Sequence, residues 1–169
     1  MNEKALAHIR RHDGKKQTLK DHLLSVCRLT GAFARKIGLP LSGELAGISH
    51  DFGKYAETFQ LYLLSANGVI DPDSDEYIDP VSQKGKIDHS TAGAKYVWKR
   101  LEREKYPLYA QLMFLSVCSH HSGLIDCLLP DGRNGFGNRL NKKEENTHLA
   151  ECESKVDFAI KDWLDSISE

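Results

Sequence analysis

Residues 42–54 read Ser42-Gly43-Glu44-Leu45-Ala46-Gly47-Ile48-Ser49-His50-Asp51-Phe52-Gly53-Lys54, and this stretch decides the fold. Ser42 can cap a helix that carries Leu45 and Ile48 and runs to about Phe52, with Gly53 beyond its end. His50 and Asp51 then fall on a short helix among Ala46, Gly47, Ile48 and Phe52, so an imidazole and a carboxylate share a largely apolar setting. An unpaired buried carboxylate is costly, and coordination of a metal by both groups would offset that cost.

Outward from this stretch the chain reads as further helices. Upstream, Thr18-Leu19-Lys20-Asp21 has the form of a capping box, and Leu19, Leu23, Val26, Leu29 and Phe33 recur at helical spacing until Gly38 and Pro40 stop the run. Downstream, Ala56 to Ala66 gives a third helix, and residues 67–88 form a long loop punctuated by Asn67-Gly68, Asp71-Pro72, Asp79-Pro80 and Gly85. Ser90 opens a helix to about Lys105, and Pro107 opens another that runs to His121. Residues 122–146 are turn-rich and basic, as expected of a mobile connection, and Thr147 starts a last amphipathic helix through Val156, Phe158, Ile160 and Trp163. No segment of period two and no internal repeat competes, so the predicted fold class is all-α.

A chain of 169 residues, 40% hydrophobic and 28% charged, is the size and composition of one soluble domain, residues 1–169 throughout. No apolar run approaches the length of a membrane span, and Met1-Asn2-Glu3-Lys4 is too polar for the core of a signal peptide, which points to the cytoplasm and to no membrane partner. Cys27, Cys118, Cys127 and Cys152 form no Cys-x-x-Cys pair and are expected to be reduced structural thiols. The net charge of -1 conceals an asymmetry: residues 1–20 carry six basic and two acidic side chains, residues 144–169 eight acidic and two basic. A polyanion should therefore meet the first half of the chain.

The eight histidines are most informative in their placement. His22 lies beside the apolar stripe of the first helix, His50 precedes Asp51, His89 stands directly before a helix, and His120-His121 closes another. Five imidazoles and one carboxylate, presented at helix ends or on apolar faces of four helices, are best explained if those helices converge on something cationic. By contrast His12-Asp13-Gly14-Lys15 has only polar neighbours, so residues 8–17 read as a basic loop, with His8, His12 and His148 outside any site. No Ser-His-Asp order, phosphate loop or pair of catalytic carboxylates competes, and Gly135-Phe136-Gly137 is too short for a nucleotide fingerprint.

His22, His50-Asp51-Phe52-Gly53-Lys54, His89-Ser90-Thr91-Ala92-Gly93-Ala94 and His120-His121-Ser122-Gly123-Leu124 together resemble the HD superfamily of metal-dependent phosphohydrolases. The added elements Asp21-His22-Leu23 and Phe59-Gln60-x-Tyr62-Leu63 narrow the resemblance to the HD nuclease domain of the type I CRISPR-associated helicase-nuclease, over most of residues 5–140. The resemblance implies a helical HD-domain bundle with a metal site between helices. In that arrangement His22, His50 and Asp51 would serve a first ion, Asp51 would bridge, and His89, His120 and His121 would serve a second. A carboxylate can bridge through its two oxygens where a neutral imidazole binds only one cation. Lys54 would join Asp51 as a catalytic group, holding a phosphate oxygen or steadying transition-state charge. Imidazole-rich ligation favours Mn, Ni, Co or Fe over Mg, as one or two ions.

The implied function is metal-dependent hydrolysis of phosphodiester bonds in single-stranded DNA during CRISPR interference, an antiviral defence, with a helicase domain or subunit and a CRISPR surveillance complex as partners. Arg10, Arg11, Lys15, Lys16, Arg133, Arg139, Lys142 and Lys143 would contact phosphates, and Phe136 or Tyr55 would stack on bases. The family's site is normally completed by a downstream aspartate. Here Asp126, Asp131, Asp157, Asp162 and Asp165 all lack the expected context, Asp157 least so, which suggests a fragment that stops before the final helices and the helicase. Two other readings are an HD phosphohydrolase acting on mononucleotides or cyclic nucleotides, and a docking module without metals.

Overall fold

A computed structural model describes residues 4–103, 106–121 and 123–166, which are mostly helical. A two-stranded antiparallel hairpin, β1 (Leu6–Ile9) and β2 (Lys16–Thr18), comes first. It is followed by α1 (Leu19–Ala34), α2 (Pro40–Ser49), α3 (Glu57–Ala66), α4 (Pro80–Gln83), α5 (Ser90–Arg103), α6 (Pro107–Cys118), α7 (Gly135–Leu140), α8 (Glu144–Thr147), α9 (Leu149–Lys155) and α10 (Phe158–Ser166). The hairpin corrects the reading of residues 8–17 as a loop. Its strands are too short to show alternation, but Asp13-Gly14 turns it, with Gly14 at φ 68 in the left-handed region that glycine tolerates best.

Thr18 caps α1 as expected, its hydroxyl accepting from the Asp21 amide at 3.1 Å. The buried stripe runs through Leu19, Leu23, Cys27 and Gly31, whereas Leu29 and Phe33 face solvent. The cause is the partner helix: α2 lies so close that its Gly47 packs on the α1 backbone at Cys27, and the small residues rather than the large ones mark the contact. α2 starts at Pro40, not Ser42, because proline suits the first turn, where no amide donor is needed. It also stops at Ser49, earlier than the periodicity suggests, so Asp51 leaves the helix and a short 3-10 turn, Phe52–Tyr55, carries Lys54.

The loop from 67 to 88 holds the single turn α4. The segment expected to be mobile contains α7, capped by the Asn134 side chain, and α8, which ends at Thr147; the last helix is broken into α9 and α10, and His148 at φ 53 separates α8 from α9. Phe158, placed on its apolar face, is exposed, while Ile160 and Leu164 are buried. The main core gathers Leu19, Leu23, Ile48, Phe52, Tyr55, Val97, Ile160 and Leu164; a smaller one gathers Ala94, Phe114, Val117 and Cys118 under Trp98 and Phe136. Cys27, Cys118 and Cys152 are buried free thiols and Cys127 is exposed; burial pushes Cys27 up to about 11 and Cys152 up to about 12. Among the described residues no helix is long and apolar enough to cross a membrane.

Candidate metal centre

Asp51 lies at the centre of the molecule's polar chemistry with 3% of its surface exposed. Its two oxygens face different groups. Oδ2 lies 3.0 Å from His22 Nε2, 3.1 Å from His50 Nε2 and 2.8 Å from the buried Lys54 ammonium. Oδ1 lies 3.4 Å from His120 Nε2 and 3.5 Å from His89 Nε2, and His121 Nε2 lies 2.7 Å from that of His89. The six residues expected to converge are brought together from α1, the end of α2, the approach to α5 and the turn after α6.

Close approach of backbone makes this convergence possible. The Gly53 amide donates to the His89 carbonyl at 3.1 Å, and a Cβ on Gly53 would strike that same backbone. A Cβ on Gly93 would strike the Ser49 carbonyl. Glycine at both positions lets the start of α5 sit directly on the turn that holds Asp51. Asp88 secures His89 from the other side. Its carboxylate accepts from the Ser90 and Thr91 amides at 3.2 and 3.0 Å, from the Thr91 hydroxyl at 2.6 Å and from Lys142 at 2.6 Å. Burial works to raise the Asp88 carboxyl, but Lys142 and Thr91 outweigh it and hold it well below the usual carboxylate range.

Ring orientation decides what the site fits. His50 Nδ1 lies 2.7 Å from the Gly47 carbonyl and His120 Nδ1 2.8 Å from the Val117 carbonyl. A carbonyl only accepts, so each Nδ1 must carry the proton, and in the neutral ring each Nε2 presents a lone pair. Those lone pairs point at a carboxylate, which in its ionised form is also only an acceptor. On the Oδ1 side the mismatch is unrelieved: Asp51 Oδ1 and His120 Nε2 are both buried without a hydrogen-bond partner. Acceptors turned toward one another in a buried site suit a cation between them, and carbonyl-anchored imidazoles are the usual support of metal ligands. Asp51, His89, His120 and His121 present ligand atoms all within 4.8 Å of one another and could hold a metal ion.

Burial works to raise the Asp51 carboxyl, but His120, His22 and His50 outweigh it and hold it well below the usual carboxylate range. Burial pushes His89 down to about 4, Asp51 opposing and Lys54 and the neighbouring imidazoles adding, so the ring is neutral at pH 7. His121 is lowered by partial burial and by His120.

Several expectations change. His8, read as lying outside any site, has its ring edge-on to His22 with centroids 4.8 Å apart, and it forms a second group with His22 and Asp51 whose ligand atoms lie within 4.8 Å of one another. Its pKa is lowered, by burial first and then by Lys54 and His22. The sequence signal for it is the apolar run before Asp13-Gly14, which makes a hairpin and carries His8 to α1. Asp88 was also missed, although an acidic residue just ahead of Ser90-Thr91 is a cap pattern. Asp157 accepts from Tyr55 Oη at 2.9 Å and Asp165 pairs with Arg100 at 3.1 Å, so neither enters the cluster. His12 and His148 lie beside Asp13 and Glu151, away from it.

The proposed strand contacts divide. Arg139 and Lys142 are engaged with Asp88 and Ser90, Arg133 with Asp131, and Arg10 with Asp13. Tyr55 is buried, and Phe136 packs between Trp98 and Phe114, so neither ring is free to stack on a base. Arg11, Lys15 and Lys16 remain exposed on the hairpin and make no ion pair among the described residues. Neither a family model nor a curated protein matches this chain.

Proposed function

We propose that this chain is a metal-dependent hydrolase of phosphodiester bonds in single-stranded DNA, an HD-type nuclease domain that works with a helicase and a CRISPR surveillance complex in antiviral defence. One observation carries the metal-dependent part: buried acceptors, Asp51 Oδ1 and His120 Nε2, face each other with no donor between them. The motif order from His22 to Leu124 supplies the reaction class by resemblance.

When bound, divalent cations of the Mn, Ni, Co or Fe type would supply an activated water for in-line attack and neutralise charge on the scissile phosphate. His22 and His50 would hold one ion on the Oδ2 side of Asp51, and His89, His120 and His121 the other on the Oδ1 side. Asp51 would be a ligand common to both. The Gly47 and Val117 carbonyls fix the tautomers of His50 and His120, so that these rings present lone pairs without rearrangement. Lys54, buried against the Phe59 ring, balances Asp51 and would turn its ammonium toward a phosphate oxygen as substrate enters. His8 and His121 are the exposed rings of the cluster, and a strand would approach through them; Arg11, Lys15 and Lys16 are exposed on the hairpin that carries His8.

The test is cleavage of a labelled single-stranded oligonucleotide in Mn, compared with Mg, by the wild-type chain, Asp51→Asn and His12→Ala. Mn-dependent cleavage by the wild type and by His12→Ala, with none by Asp51→Asn, is expected. Turnover of mononucleotides or cyclic nucleotides with no cleavage of the oligonucleotide would favour the other enzyme reading and refute this one.

A further inference from the structure

The Oδ2 side of Asp51 has two imidazoles where the Oδ1 side has three, and among the described residues no second carboxylate joins either. β1 fills that difference. Its pairing with β2 shifts register between Leu6 and His8, so Ala7 is an extra residue in the strand, and bulges of this kind re-aim the side chain that follows. Ala7 is buried and its carbonyl accepts from the Lys54 ammonium at 3.4 Å. The preceding residue is held as firmly: the Leu6 amide donates to Gln60 Oε1 at 2.9 Å, while Gln60 Nε2 donates to the carbonyls of Leu6 at 3.0 Å and Lys54 at 2.6 Å. Gln60 and Lys54 thus tie the strand to the turn that follows Asp51, immediately before the residue whose ring meets His22. A surface histidine on a hairpin has no need of such anchoring.

We propose that His8 is a metal ligand, completing with His22, His50 and Asp51 the ion site on the Oδ2 side. The two halves of the centre then match, each with three imidazoles and a shared carboxylate. This inference rests on the reading of the cluster as a metal centre, and it explains how the Oδ2 site can be complete without Asp157 or any other downstream aspartate. An N3O donor set on both sides moves the whole centre further from Mg and toward Mn, Co and Ni.

The experiment is Mn uptake by equilibrium dialysis with elemental analysis, on the full chain and its His8→Ala, His8→Glu and His12→Ala variants, each checked for wild-type helicity. His8 is exposed, so its truncation leaves the core intact. The wild type and His12→Ala should take up two ions. His8→Ala should keep one at unchanged affinity and bind the other at least tenfold more weakly, since loss of even an outer partner of a ligand costs 10–100-fold. His8→Glu, which restores a donor of similar reach, should recover the second ion. Two ions bound by His8→Ala with wild-type affinities would overturn the proposal and leave the metal centre standing, as would uptake of a single ion that is indifferent to His8. A wild-type chain that takes up no Mn would overturn both.

Discussion

Metal binding by a buried cluster should appear as thermal stability, and Asp51→Asn is the sharpest perturbation of it. The substitution keeps the shape of the side chain but removes the charge that every other donor in the centre surrounds, at 2.8–3.5 Å from Lys54 and the imidazoles of His22, His50, His120 and His89. An ion that binds only the folded state at about a hundredfold its dissociation constant stabilises by about 2.7 kcal/mol per site. For a domain of this size each kcal/mol moves the midpoint by about 2–4 °C, so one occupied site should raise Tm by about 5–11 °C. The assay is calorimetry with and without Mn, each protein compared with itself, so that any intrinsic cost of the substitution cancels. The wild-type chain should show the rise, and Asp51→Asn should lose nearly all of it. An unchanged metal-induced rise in Asp51→Asn would refute the claim that this carboxylate is the common ligand.

Other perturbations follow from the same geometry. Lys54→Met removes one partner of a buried ion pair and should cost the metal-free chain about 3–5 kcal/mol in urea denaturation, with the loss reduced when Mn is present. Because burial lowers His89 from 6.5 to about 4, the unfolded chain binds more protons between those values; metal-free stability should therefore be full above pH 6.5 and fall by about 3 kcal/mol as pH drops to 4, a slope that His89→Asn should flatten. Gly93→Ala forces a methyl against the Ser49 carbonyl and should cost about 1–3 kcal/mol while weakening Mn uptake, because α5 then backs away from Asp51. Asp88→Ala removes the cap of α5 and should lower stability by about 1–2 kcal/mol, read as a fall in Tm.

The helices around the site were legible because their signals are local. Thr18, Gly38 and the Ser90 and Pro107 starts act within a turn of chain, and the structure places helix boundaries at or next to each. The meeting of His22, Asp51, His89 and His120 was legible for a different reason: polar groups at helix ends in apolar surroundings need a common partner. What sequence did not disclose depends on contacts between distant segments. Leu29 and Phe33 have the right spacing for a core stripe, but α2 packs on the side marked by Cys27 and Gly31. The ends of α2 and α6 fall short of the apolar periodicity, since Asp51 and His120 must leave helical geometry to face inward. His8 is not legible in the same way, because a four-residue strand has too little periodicity to detect, and its place beside His22 is set by Gln60 and Lys54, 54 and 47 residues away from the residues they hold. The basic residues from 133 to 143 looked like free phosphate contacts; Asp88, also far away in sequence, engages two of them.

Element-specific anomalous scattering from crystals soaked in Mn or Ni shows whether cations sit in the histidine cluster and which side chains hold them. A peak is expected among Asp51, His89, His120 and His121, and a second beside Asp51 Oδ2 among His8, His22 and His50. Peaks confined to the surface, with these imidazoles hydrogen-bonded to one another or to water around an ion-free Asp51, would contradict that expectation.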